Sequence, residues 1–103
     1  MYKLIAHYKI PNDKGAFEKH YKEVHTPITK KIPLIKEIRI NKVFGGPTGK
    51  SDLHLIAELC FASKEDFKSA MGTPEAAASG ADLMSFAKEI VSVHFAQEEI
   101  VKP

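Results

Sequence analysis

The stretch Ile35–Asp66, IKEIRINKVFGGPTGKSDLHLIAELCFASKED, decides the fold. From Ile35 to Phe44 apolar and polar residues alternate, the period-two pattern of a strand with one buried face. The segment GGPTGKSD is dense in turn-forming residues and reads as a wide hairpin connection. Leu53–Ala62, LHLIAELCFA, is then the returning strand, partly apolar on both faces. It stops at Ser63-Lys64-Glu65-Asp66, where a Ser63 hydroxyl placed to cap backbone donors, with Asp66 three residues on, predicts the start of a helix.

Upstream, Tyr2–Ile10 mixes β-branched, aromatic and apolar residues and ends at Pro11, so it reads as a strand. Asn12 or Asp13 then caps a helix in which Phe17, Tyr21, Val24 and Ile28 line one face. Because the residue before a proline is pushed out of the α region and Pro27 lacks a donor, this helix is expected to stop by Thr26, leaving His25 at its C-terminus. There the helix dipole favours the imidazolium and burial opposes it.

Downstream, the helix from Ser63 runs toward Met71 and ends at Gly72, and Thr73-Pro74-Glu75 restarts it to about Ala87. Glu89–Gln97 reads as a last strand. The order β-α-β-β-α-β is the split βαβ, ferredoxin-like α+β pattern. It predicts one domain over residues 1–103, with a four-stranded antiparallel sheet in the order 4-1-3-2, both helices on one face and the other face bare.

The 103 residues carry a net charge of +2 with dispersed lysines, which argues against nucleic-acid binding. The longest apolar runs fall short of the roughly 20 residues of a membrane span, and MYKLIAHYKI lacks the unbroken apolar core of a signal peptide, so a cytoplasmic location and no membrane partner are expected. The lone cysteine, Cys60, reads as a small buried hydrophobe.

Strand alternation sorts the side chains by face. Leu53, Leu55, Ala57, Leu59 and Phe61, with Leu4, Ala6, Tyr8, Ile38, Ile40, Val91, Val93 and Phe95, belong under the helices. The bare face then carries Ile5, Ile56, Cys60, Ile90 and Ala96 among polar residues that include His54, and an apolar patch of that kind predicts a homodimer packed through the helix-free face. His7, Glu58 and His94 would approach one another there, with Arg39 farther out, as candidate acid, base or ligand-contacting groups.

No metal site is expected. His20 and His25 are five apart, about 140° around an α-helix, and so do not form the one-faced pair of the zinc-helix motif. A mixed set of His7, His25, Glu58 and His94 is the less favoured remainder. GGPTG lies between strands, without the strand-turn-helix setting of a phosphate site, so no nucleotide cofactor is expected.

The segments FEKHYKEVHTPI, LIAELCFAS with KEDFKSAM, and TPEAAASGADLMSFA together resemble the EthD family, linked to ethyl tert-butyl ether degradation, and the likeness covers almost the whole chain. Tyr21, His25 and Pro27, a tyrosine four residues before His-x-Pro, are its most specific part. The resemblance implies a dimeric α/β barrel and His25 as pocket histidine and acid or base, with Tyr21 beside it. It also implies a reductase- or monooxygenase-like oxidoreductase, or a lyase- or isomerase-type enzyme, acting on a small, largely apolar molecule; with no nucleotide site in the chain, no bound cofactor is expected. The alternative is a non-catalytic protein that binds such a ligand or serves a redox pathway.

Overall fold

The computed structural model describes residues 1–103. The elements are β1 (Tyr2–Lys9), α1 (Lys14–His20), a π-helical turn (Tyr21–His25), α2 (Thr26–Thr29), β2 (Glu37–Lys42), β3 (Leu53–Phe61), α3 (Lys64–Met71), α4 (Pro74–Ala87) and β4 (Val91–Gln97). The strands pair antiparallel in the order β2-β3-β1-β4, the ferredoxin-like topology. Helix starts follow the local chemistry: Asp13 accepts from the Ala16 amide at 3.0 Å, Ser63 from Asp66 at 3.1 Å and Thr73 from Ala76 at 3.2 Å. Two strands are shorter than their apolar patterns: β2 begins at Glu37 and ends at Lys42, and β4 begins at Val91. No helix is long and apolar enough to cross a membrane.

The register places Leu4, Ala6 and Tyr8 opposite Leu59, Ala57 and Leu55 on one side and opposite Phe95, Val93 and Val91 on the other. This is the helix-covered face. One buried cluster there joins Tyr8, Phe17, Tyr21, Leu55 and Leu83, and a second joins Ile32, Leu59, Phe61 and Ala70.

Two expected facings change, and one expected burial does not occur. Between Tyr8 and Lys9 the register slips, so Tyr8 pairs with Leu55 and Lys9 with Leu53, and His54 has no residue opposite it. That bulge turns His54 off the bare face: its ring meets Phe17 edge-on at 5.5 Å, and Nε2 lies 2.6 Å from Glu18 Oε1 on α1. Ile90 precedes β4 and packs against the helix-side core, so it leaves the bare patch. Val93 and Phe95 point to the helix side but stay exposed, with Phe67 of α3 meeting the Phe95 ring edge-on at 5.0 Å.

Candidate functional site

The helix after β1 does not stop at Thr26. It widens for one turn at Tyr21–His25, where the Thr26 amide donates to the Tyr21 carbonyl five residues back, and continues through Thr29 with the Lys30 amide on the Thr26 carbonyl at 2.9 Å. Thr26 keeps α geometry, φ −60° and ψ −46°, even though Pro27 follows. The widened turn moves aside the carbonyl that a proline ring strikes in a regular α-helix, so helix and proline coexist. His25 therefore lies inside a helix, and no C-terminal dipole acts on it.

The extra residue shifts the helix phase by one. The buried positions are Phe17, Tyr21, His25 and Thr29, while Val24, expected on the buried face, is 40% exposed. It also brings residues five apart toward one side. His20 and His25, expected to diverge, both reach Asp82 on α4: His20 Nε2 lies 3.0 and 3.1 Å from the two carboxylate oxygens, and His25 Nδ1 lies 2.9 Å from Oδ2.

Asp82 had no part in the expected site. Its available signal was that it is the only charged residue between Ala76 and Ala87 in an otherwise small and apolar helix. One turn earlier, Ser79 is buried and meets Thr29 at 2.8 Å, and the Thr29 hydroxyl is 3.4 Å from His25 Nε2. A carboxylate can only accept, so the network assigns the His25 hydrogen to Nδ1 and leaves a lone pair on Nε2.

These groups border a cavity of about 80 Å³ between the helices and the covered face of the sheet. Its walls are mostly apolar, including Leu4, Leu59, Met71 and Leu83, and its polar side carries His25, Tyr21, Tyr8, Thr29 and Ser79. Burial lowers the His25 pKa below the ordinary histidine value, and the hydrogen bond that Nδ1–H donates to Asp82 offsets only part of that. Burial pushes the Tyr21 phenol up to about 12, and burial with the neighbouring Tyr21 raises Tyr8 further. At neutral pH the cavity thus holds a neutral imidazole and two phenol O–H groups.

Of the residues singled out from sequence, Tyr21 and His25 stand together at this cavity. His7, Glu58, Arg39 and His94 lie on the opposite, bare face of the sheet. His7 and His94 rings sit 5.3 Å apart. Glu58, which accepts from Lys3 Nζ at 2.6 Å and Asn41 Nδ2 at 2.8 Å, is held below the usual carboxylate range chiefly by Lys3. Lys3 also reaches Glu98 at 2.9 Å, and Arg39 bonds Glu37 at 3.1 Å and Glu98 at 3.2 Å. Fully buried Cys60 has its thiol pKa raised by burial. No group of three or more His, Cys, Asp or Glu side chains gathers in metal-holding geometry.

Residues 11–89 match the EthD domain family. The chain belongs to the EthD family. It is 32% identical over 103 residues, the full length of both, to an uncharacterised 11.0 kDa protein in the thcB-thcC intergenic region of Rhodococcus erythropolis. Among solved structures it is similar to an ethyl tert-butyl ether D (EthD) family protein of Bacillus halodurans, with a TM-score of 0.92 and 38% identity over 96% of this chain and 99% of that one. The same fold recurs in SnoaB, a cofactor-independent oxygenase of Streptomyces nogalater, with a TM-score of 0.67 at 10% identity over 99% and 96% of the two chains. It recurs also in a dimeric ferredoxin-like protein of unknown function from Bacteroides fragilis, with a TM-score of 0.62 at 20% identity over 94% and 95%.

Proposed function

We propose that this EthD protein is a cofactor-independent oxidoreductase that uses His25 as general base on a small, largely apolar organic molecule in the helix-side cavity. The observation that carries the reading is a neutral, buried imidazole in an apolar cavity, with Nδ1 held by Asp82 and a lone pair on Nε2. A base of this kind serves a substrate with a weakly acidic proton, such as the C–H next to a carbonyl or the O–H of a phenol, whose anion carries charge on carbon. Nε2 takes the proton, and Asp82 stabilises the imidazolium. The protonated Tyr21 and Tyr8 phenols are the donors available to the developing oxyanion.

Such a carbanion or enolate is oxidised directly by dioxygen. A C–O bond forms, dioxygen is reduced to a bound peroxide, and the imidazolium returns the proton to the peroxide oxygen, so that substrate and dioxygen give a hydroperoxide. No bound cofactor is required in this sequence. SnoaB, a cofactor-independent oxygenase on the same fold, supports this form of the chemistry.

The bare face takes a different task in this reading. Two copies pack through it as a homodimer and form a dimeric α/β barrel, which the dimeric Bacteroides fragilis protein supports. Glu58, His7, Arg39 and His94 then pair and pack at the interface, with Ile5 and Ile56 supplying apolar area.

The test is oxygen consumption by the purified protein with a panel of small phenols and 1,3-dicarbonyl compounds. His25→Ala is expected to lose turnover while His54→Ala keeps it. Equal consumption by wild type and His25→Ala would overturn the reading, and binding without turnover in the wild type would identify a ligand-binding protein instead.

A further inference from the structure

His20 is outside the cavity, yet it shares Asp82 with His25. Its side chain is 31% exposed and opens on a solvent groove between the α1 and α4 segments, where the Phe86 ring lies 4.4 Å away, tilted by 36°. Asp13, Lys88 and Glu89 also border that groove, but the only hydrogen bonds that His20 makes are to Asp82. Its Nε2 sits almost evenly between the two carboxylate oxygens, at 3.0 and 3.1 Å. A donor placed so fixes the rotation of a carboxyl group, and a fixed carboxyl presents one oxygen, here Oδ2, to His25 Nδ1 at 2.9 Å.

This arrangement depends on the π turn, because a regular α-helix places residues five apart about 140° from each other. Asp82 Oδ2 has no other side-chain partner, so only His20 and His25 restrain the carboxylate.

We propose that His20 is a positioning residue of the site: gripping Asp82 from the solvent side, it holds the carboxylate against Nδ1 of His25 and keeps Nε2, which faces the Thr29 hydroxyl, unprotonated as the proton acceptor. The proposal rests on the reading of His25 as the base. Its effect is to select one imidazole tautomer, since a carboxylate free to rotate no longer disfavours the form with hydrogen on Nε2.

The test uses the full chain with ¹⁵N-labelled histidine, observing the His25 ring nitrogens by long-range ¹H–¹⁵N correlation well above the ordinary histidine pKa. Wild type is expected to show His25 as a single tautomer with hydrogen on Nδ1. His20→Ala is expected to show a mixture of both tautomers, and His20→Gln, which retains an N–H donor, to restore the single form. Where turnover is measured, kcat for His20→Ala falls about ten- to a hundredfold with KM little changed. A His25 ring that stays wholly in the Nδ1–H form in His20→Ala overturns the positioning role. Failure of the base reading has a separate signature: turnover unaffected by His25→Ala, whatever the tautomer spectrum shows.

Discussion

The two faces of the sheet differ in how they satisfy polar groups. On the covered face few polar side chains are present, and those around His25 form one short chain: His20 to Asp82, Asp82 to His25, His25 to Thr29 and Thr29 to Ser79. Burial there is strong enough to hold an imidazole neutral. On the bare face the charges are more numerous and are paired with opposite charges, with Lys3 between Glu58 and Glu98 and Arg39 between Glu37 and Glu98. A neutral imidazole whose Nε2 is an acceptor is prepared to take a proton, whereas a carboxylate paired with a lysine is already occupied. The contrast locates the proposed chemistry on the covered face.

The largest effect tests that contrast directly. His25→Ala is expected to lower kcat/KM by about 10²- to 10⁴-fold, the usual range for removal of a general base. Asp82→Asn is expected to cost at least tenfold, because an amide no longer enforces the Nδ1–H form. Glu58→Gln on the bare face is expected to change kcat/KM no more than a few-fold. Steady-state kinetics on the three variants decides between the faces, and a Glu58→Gln loss comparable to that of His25→Ala would reverse the assignment.

Packing gives the next comparison. Phe61 has no exposed surface, and Phe61→Ala is expected to cost about 3–5 kcal/mol in urea unfolding. Ile56 is half-buried in the free protomer, so Ile56→Ala should cost less at low protein concentration. If the bare face joins two copies, Ile56→Asp shifts the mass measured by light scattering toward that of a single chain while far-ultraviolet circular dichroism remains native. An unchanged mass with an initially dimeric protein would place the interface elsewhere.

How much of this was legible follows from range. Strand positions and helix starts depend on alternation and on caps within three residues, as at Asp13, Ser63 and Thr73, so they can be read locally, and the order of elements then selects the sheet topology. The face parity of β3 is local as well from Leu55 onward, and it fails at His54 because a bulge is a property of two paired strands. The rule that ended the helix at Pro27 and the spacing that buried Val24 both assume a uniform α-helix. One inserted residue defeats both at once. Asp82 was harder still to find, because its histidine partners lie 57 and 62 residues away and meet it only after α4 docks on the π turn.

The smallest effects lie in the dependence of stability on pH, and the two faces occupy different windows. His25 has a folded pKa below its ordinary 6.5, so beneath that value the unfolded chain takes up a proton that the folded chain refuses. Stability is therefore expected to fall as pH drops through 6.5, by at most about 1.4 kcal/mol per pH unit for one proton, until the folded pKa is reached. His25→Gln should flatten this part of the curve. On the bare face Glu58 has a lowered pKa, so its contribution is present above 4.5 and is lost as acid protonates it in the fold. Lys3 has a raised pKa, so its contribution is present below 10.5 and is lost as pH climbs through the higher folded value. Lys3→Met is thus expected to alter the acid and alkaline limbs while leaving the slope just below 6.5 unchanged, because His25 and Lys3 lie on opposite sides of the sheet and share no partner. Urea midpoints measured across pH separate these limbs, and a Lys3→Met protein that lost the slope just below 6.5 would show that the two faces titrate as one system.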